Sequence, residues 1–402
     1  MLNNSLVITS STKYNKIFMV QYEKKKPVEI RCIENNTDSL IGNIYIARVN
    51  NVVKNLDAAF VEIEKGTICY YEPSKNREPI YIKRQSPNKM CQGDEILVQV
   101  QKDAHKSKQA SVTDNLSFTG KYMVLTSGDK SISVSNKLSQ EDKKRLLKLG
   151  HSYNLSEFGI IFRTNAAIAS DKELSNELAI LTDNFNNLML KAKHKTALTL
   201  LNQAMPDYLQ TIIGLYDSFC IEKIITDNLD IYENIKQAVS LYRPEFTNLL
   251  EYYTDSIISL NSLYGIDLDI DKALQSRVWL KSGAYLVIET TEAMTVIDVN
   301  TGKYEGNKKA ADTFLKVNKE AAKEIARQLR LRNISGIIMV DFIDMDLESN
   351  REEIMLALKE YVKADPVKTT IVDMTKLNLV EITRRRSRRS LYEQLNTSIP
   401  FI

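Results

Sequence analysis

Long apolar runs are missing from this 402-residue sequence. None approaches the roughly 18 residues a membrane-spanning helix needs, so no transmembrane segment is expected. The N-terminal stretch MLNNSLVITSSTKYNK has no basic start followed by a long apolar core, and does not read as a secretion signal. Cysteine is sparse: Cys32, Cys69, Cys91 and Cys220 lie far apart with no C-x-x-C pair. That pattern supports neither a zinc knuckle nor a redox motif, and fits idle thiols in a reducing cytoplasm. Histidine is limited to His105, His151 and His194, two of them among lysines in DAHKSKQ and KAKHKTA, which disfavours histidine-based hydrolysis. No G-x-S-x-G elbow supports a serine triad, and no G-x-x-x-x-G-K-[ST] phosphate loop occurs. Internal repeats and low-complexity linkers are also missing.

What is present describes a globular chain long enough for two to four domains. Charged residues make up 26% and hydrophobic residues 43%, ordinary values for a folded protein. The net charge is only +3, but it is unevenly spread. Residues 308–332 carry eight Lys/Arg against three acids, and RRRSRR at 384–389 adds five arginines with no acid. Cations gathered in the C-terminal third suit a polyanionic partner; a solvated helix face with a basic surface loop would give the same pattern.

Residues 40–118 are β-rich, with IGNIYIARVNNVV, DAAFVEI, TICYY and EILVQVQ as strand-like runs separated by turns. That density of short strands predicts a small barrel such as an OB-fold. Three further strand-like runs, SLVITSS, KIFMVQY and VEIRCI, precede it. The tract from 170 to 275 reads as mostly helical. After Ser170, which has capping-box spacing to Glu173, Leu174, Leu178, Leu181, Phe185 and Leu188 recur at helical steps. The last 125 or so residues alternate: strands 284–289 and 293–298 in a hairpin, a helix over 308–332 whose apolar face includes Phe314, Ala321, Ile325 and Leu329, a strand GIIMVD, a helix over 350–363 and a strand KTTIVD at 368–373. This predicts an α/β sheet with packed helices, where ligands gather beyond the strand ends.

Two of those strands end in acid. TVIDVN finishes with Asp298 and Asn300, whose i, i+2 spacing puts both on one face. GIIMVDFIDMD runs four apolar residues into Asp341. Two strands of one sheet ending this way would bring two carboxylates together. Mg²⁺ needs no more than one or two carboxylates besides water and substrate phosphate. Such a site would perform metal-dependent phosphodiester hydrolysis, with Asn300 orienting a carboxylate or the attacking water and the basic helix positioning the backbone. A strand-end aspartate also serves as a helix cap or turn former. Asp344 has that alternative too, and ranks behind Asp341.

The blocks GAYLVIETTEAMTVIDVNTGKYEG, EAAKEIARQLRLRNISGIIMVDFIDM and LVEITRRRSRRSLYEQL resemble the signature segments of the RNase E/RNase G endoribonucleases. The similarity is dense over about 283–395 and collinear earlier, through GNIYIARVNNVVKNLDAAFVEI and FGIIFRTNAA. The resemblance implies an α/β multidomain architecture. An RNase H-like scaffold (1–38 and 213–278) is interrupted by an S-one-type OB-fold β-barrel (39–118) and a 5′-sensor region (119–212), and is followed by a DNase I-like α/β catalytic subdomain (279–402). It assigns metal binding to Asp298 and Asp341, with Asn300 in support. Single-stranded RNA would be clamped by Phe60, Tyr70 and Lys108, with Lys368 at a position where the family has an RNA-contacting arginine. Arg163 and Thr164 in IIFRTN would sense a 5′-monophosphate. Phe60 taken alone also reads as barrel core.

Three departures from the family pattern matter. The zinc-link expected just after SLYEQL is missing, so no zinc is expected and any homodimer has to form without it; the family's small C-terminal domain is likewise missing. A family basic pair is replaced by Asn136 and Lys137. Where the family has Gly-Phe the chain reads TICYY, so Tyr71 competes with Tyr70 for the second stacking position. The reading is a cytoplasmic, Mg²⁺-dependent endoribonuclease for rRNA, tRNA or mRNA processing or decay, acting on 5′-monophosphorylated single-stranded RNA and leaving 5′-phosphate and 3′-hydroxyl ends. A non-catalytic RNA binder of the same fold and a DNA nuclease of similar chemistry are the alternatives.

Overall fold

The computed structural model describes the chain except residues 1–3, 34–39, 54, 56, 74–77, 88, 105–108, 129, 154, 156, 216–220, 303–309, 346, 376, 387 and 396–402. The chain divides into two compact units, Met1–Ile33 with Cys220–Glu233 and Asn248–Ile402, and Glu34–Phe219 with Asn234–Thr247. In chain order, β1 (Asn4–Ser11), β2 (Lys16–Glu23) and β3 (Lys26–Ile33) form an antiparallel meander that belongs to the first unit.

The second unit opens with β4 (Ile44–Val53), β5 (Ala58–Glu64), β6 (Thr67–Tyr71), β7 (Tyr81–Lys83), β8 (Glu95–Lys102) and β9 (Ser111–Thr113). β4, β5 and β6 are antiparallel, β6 pairs with β9 in parallel, β9 with β8, and β8 back onto β4. The result is a closed five-stranded barrel of OB type, as the sequence predicts. Alternate residues fill it, among them Tyr45, Ala47 and Val49 on β4, Ala59, Val61 and Ile63 on β5, and Ile96, Val98 and Val100 on β8, because strand side chains alternate between faces. Next come β10 (Ser117–Thr119), β11 (Met123–Thr126), β12 (Ile132–Val134), α1 (Gln140–Ser152), β13 (Gly159–Phe162) and α2 (Asp171–Lys193), with the strands in one sheet ordered β10-β11-β13-β12. Ser170 and Glu173 close the capping box at the start of α2. β14 (Thr199–Asn202) pairs with β4, and α3 (Asp207–Gly214) follows.

β15 (Lys223–Thr226) returns to pair in parallel with β1; after α4 (Leu229–Tyr242), β16 (Leu250–Tyr252) adds in parallel to β15, and α5 (Leu260–Tyr264) and α6 (Ile266–Leu274) follow. The N-terminal sheet therefore reads β16-β15-β1-β2-β3. The tract expected to be mostly helical thus holds three strands as well. They escape pattern reading because they are only three or four residues long, and a short apolar run such as KIIT in a parallel pair has no alternation to detect.

The rest of the first unit is a six-stranded sheet, β17-β18-β19-β20-β22-β21, built from β17 (Arg277–Trp279), β18 (Tyr285–Thr290), β19 (Met294–Asn300), β20 (Gly336–Asp341), β21 (Thr369–Met374) and β22 (Leu379–Arg384). Only β19 and β20 run parallel, and such a pair needs a crossover. The crossover contains α7 (Ala310–Leu331); α8 (Glu348–Tyr361) and α9 (Leu391–Leu395) complete the unit. One face of the sheet, with Leu286, Ile297, Val299, Ile338 and Val380, packs on Val317, Ala321, Ile325 and Leu329 of α7 and Ile354 and Leu358 of α8. Each fully buried aliphatic side chain there contributes roughly 1.5–3 kcal/mol over leaving it exposed. The opposite face is open, with Val296 40%, Ile337 50% and Trp279 63% exposed.

Several arginines of the two basic runs are engaged within the fold. On α7, Arg327 donates to the Pro27 carbonyl at 2.6 Å and Arg330 to Glu23 at 3.1 Å, and Arg332 is buried against Gln328. In RRRSRR, Arg384 is buried in an ion pair with Asp365 at 2.7 Å, Arg388 pairs with Glu29 at 2.5 Å and Arg386 with Glu393 at 2.7 Å. These guanidiniums pack their stems and satisfy buried acceptors, so the local charge overstates what is left for a polyanion.

Candidate functional site

The parallel register of β19 and β20 sets Asp298 directly beside Asp341. Strands one ladder apart are about 4.8 Å apart, and in-register residues project to the same face. Thr295, Ile297 and Val299 point into the core, so Asp298 and Asn300 point the other way, half-buried on the open face, and Asp341 is exposed beside them. Asn300 Nδ2 donates to Asp298 Oδ2 at 2.6 Å.

Three contacts shape the loops around the acids. Past Asn300 the chain turns at Gly302 (φ +64°), where a Cβ would lie 2.5 Å from the Gly283 carbonyl oxygen, so only glycine fits. The turn before β18 is held by Glu320 of α7, whose carboxylate accepts from the backbone N–H of Lys281 (2.7 Å) and Ser282 (3.3 Å). The loop after Asp341 is held by Asn318 of α7. Its Nδ2 donates to the Ile343 carbonyl at 2.8 Å and its Oδ1 accepts from the Ile343 N–H at 3.1 Å. Asn318 was not singled out from the sequence. The signal was there, since it sits on the same helical stripe as Phe314, Ala321 and Ile325, a polar side chain at a buried position.

Burial, and behind it the charges of Asp298 and Asp344, raise the Asp341 carboxyl above its usual range. Like charges held this close are what a cation relieves. Among the described residues no three His, Cys, Asp or Glu side chains form a metal cage; the neighbouring Asp298 and Asp341 offer two carboxylates. Oxygen donors in that number fit Mg²⁺, which keeps most of its waters, and do not resemble a structural zinc site.

Phe60 and Tyr70 are directly opposed on β5 and β6, half-exposed, with ring centroids 6.1 Å apart in an edge-to-face pair. Phe60 is therefore not barrel core. Tyr71, the competing position, is fully buried inside the barrel, because consecutive strand residues face opposite ways. Lys108 lies outside the described residues.

Arg163 donates to the Gly120 carbonyl at 2.6 Å and borders a cavity of about 770 Å³ walled also by Asn184, Asn187, Lys191, Asn202 and Gln210. Thr164 shares a hydrogen bond with Ser135 at 2.9 Å, and the Ser135 hydroxyl accepts from the backbone N–H of Lys137, so Lys137 and Thr164 are neighbours. Asn136 is exposed and its carbonyl accepts from Lys143. Lys368 is exposed, but it precedes Thr369, which pairs with Arg384 opposite Gly336. That is the far end of β20 from Asp341, roughly 16 Å along the strand, so the structure does not bring Lys368 to the acids.

Comparison with known proteins matches the model of the Ribonuclease E/G family to residues 117–387. Ribonuclease G of Escherichia coli (strain K12) is 33% identical over 373 residues, covering 90% of this chain and 76% of that protein. Ribonuclease G of Haemophilus influenzae is 33% identical over 374 residues, with 90% and 75% covered. Ribonuclease E of Nostoc sp. is 32% identical over 367 residues, with 90% of this chain and 53% of that protein covered.

Proposed function

Because this chain belongs to the Ribonuclease E/G family, we propose that it is a Mg²⁺-dependent endoribonuclease that cuts single-stranded RNA. The observation that carries the proposal is the in-register pair Asp298 and Asp341, with Asn300 bonded to the first. Asp298 and Asp341 would hold the ion, which when bound offsets phosphate charge and makes water nucleophilic near neutral pH. Asn300 fixes the rotamer of Asp298, leaving its other carboxylate oxygen for the ion. Asn318 and Gly302 set the loops that follow Asp341 and Asn300. Attack of water on phosphorus breaks the P–O3′ bond; the 3′-oxygen takes up a proton, and the products carry a 5′-phosphate and a 3′-hydroxyl end.

The other assignments go with this reading. Phe60 and Tyr70 present rings outside the barrel, as a base-stacking platform requires, and Lys108 would add charge. Arg163 and Thr164, with Lys137 beside them, would read a 5′-monophosphate and so favour monophosphorylated substrates. Lys368, remote from the acids on its own sheet, would contact the backbone away from the scissile bond. A sheet of three antiparallel strands extended by two parallel ones supports the RNase H-like scaffold, the closed barrel the OB-fold, and the six-stranded sheet under α7 and α8 the DNase I-like catalytic subdomain. The free thiols of Cys69 and Cys91 suit a cytoplasmic location and a role in RNA processing or decay there; among the described residues no helix is long and apolar enough to cross a membrane.

The test is cleavage of one oligoribonucleotide carrying a 5′-monophosphate or a 5′-hydroxyl, with and without Mg²⁺, beside the DNA strand of the same sequence. Mg²⁺-dependent RNA cleavage, faster on the monophosphate, is expected. RNA binding without cleavage would make the protein a non-catalytic binder, and equal cleavage of DNA would refute the substrate.

A further inference from the structure

We propose that Trp279, Tyr285 and Arg277 form a base-stacking subsite beside the acid pair, occupied by the unpaired nucleotide next to the scissile phosphate. The proposal rests on the nuclease reading above. None of the three residues was singled out by the sequence motifs, and the registers of the catalytic sheet place them.

Two adjacent rows cross the open face. In one, Arg277 is paired with Val287, Val287 with Asp298, and Asp298 with Asp341. In the other, Trp279 is paired with Tyr285, and Tyr285 with Asn300. The aromatic row is thus continuous with Asn300, and Trp279 lies two strand spacings, about 10 Å, from β19.

The chemistry of that row is unusual for solvent. Trp279 is the only tryptophan in the chain and is 63% exposed. Its ring lies 5.2 Å from that of Tyr285 at an interplanar angle of 58°, an open wedge rather than a closed stack. The Arg277 guanidinium lies 4.6 Å from the Tyr285 ring centre and 5.9 Å from that of Trp279, and has no carboxylate partner among the described residues. A pocket of about 530 Å³ is bounded by Trp279, Tyr285, Gly283, Asn300, Thr301 and Gly302, with no acid among the described residues of its wall. Its size suits one nucleoside.

An exposed tryptophan beside a half-buried tyrosine can also serve as a protein contact. Three features favour a nucleotide: the pocket is shared with Asn300, the cation is set to take a phosphate, and ring faces accept any base without sequence readout. The expected consequence is a nuclease that grips the nucleotide beside the cut with little base preference at that position.

Because Trp279 is the sole tryptophan, intrinsic fluorescence reads this subsite directly. The Asp341→Asn variant of this chain, expected to bind without cutting, is titrated with a dye-labelled 5′-monophosphorylated single-stranded oligoribonucleotide, following dye anisotropy and tryptophan emission together. Emission is expected to change in step with anisotropy. In the otherwise native chain, Trp279→Ala is expected to lower kcat/KM by about 5- to 100-fold, the worth of one stacked base, with Trp279→Phe recovering most of it. RNA binding by anisotropy with unchanged emission, together with native cleavage by Trp279→Ala, would overturn the subsite while leaving the nuclease intact. Failure of the native chain to cut RNA would instead sink the nuclease reading, and the subsite with it.

Discussion

Asn318 holds Ile343 by both of its backbone polar groups, donating to the carbonyl at 2.8 Å and accepting from the N–H at 3.1 Å. A buried carboxamide on α7 thereby fixes the loop between Asp341 and Asp344. Replacing it with alanine leaves two backbone groups unpaired, costing about 1–3 kcal/mol in stability. Misplacement of Asp341 should add a loss of roughly 10- to 100-fold in kcat with KM little changed. Steady-state kinetics beside thermal unfolding separates the two effects; a purely structural role would lower Tm and leave kcat alone.

Phe60 and Tyr70 share the outer surface of the barrel, while Tyr71 fills its core. Phe60→Ala and Tyr70→Ala are expected to weaken single-stranded RNA binding by about 1–3 kcal/mol each with little change in Tm. Tyr71→Ala should do the reverse, lowering stability by roughly 3–5 kcal/mol, as for loss of a buried ring. Binding isotherms and melting curves on the three variants check this.

Glu29 is buried. Burial alone would raise its carboxyl, but Arg31 and then Arg388 outweigh it and hold it at about 2, against 4.5 for the free group. A carboxyl lowered in the folded state contributes stability that is complete above about 4.5 and is lost as the pH falls toward 2. Glu29→Gln should therefore reduce stability at neutral pH by about 3–5 kcal/mol, since Arg388 and Arg31 lose their buried partner. It should also flatten the loss on acidification. Thermal unfolding across that pH range tests both, and parallel curves for the two proteins would count against the ion-pair account.

Much of the acid site was legible in the sequence because apolar strand patterns run straight into Asp298 and Asp341, and period two assigns Asn300 to the face of Asp298. Their side-by-side register was not, since strand pairing is a tertiary property. Period two also held information that charge counting hid. Val380, Ile382 and Arg384 alternate inward on β22, so the first arginine of RRRSRR belongs to the core and to Asp365. The same alternation through Cys69 and Tyr71 separates Tyr71 from Tyr70. The strands at 223–226 and 250–252 were too short to leave a pattern, and the distance of Lys368 from the acids was not legible because antiparallel pairing sends the two ends of β20 to different neighbours.

The most direct measurement is single-turnover cleavage of a 5′-monophosphorylated single-stranded RNA by Asp341→Asn beside the native chain in Mg²⁺, with affinity taken from anisotropy on the same samples. Loss of cleavage with affinity retained is the expected result, because the proposed mechanism has the carboxylate pair act on the phosphate and not on the rest of the RNA. Cleavage by the variant at the native rate would contradict the account.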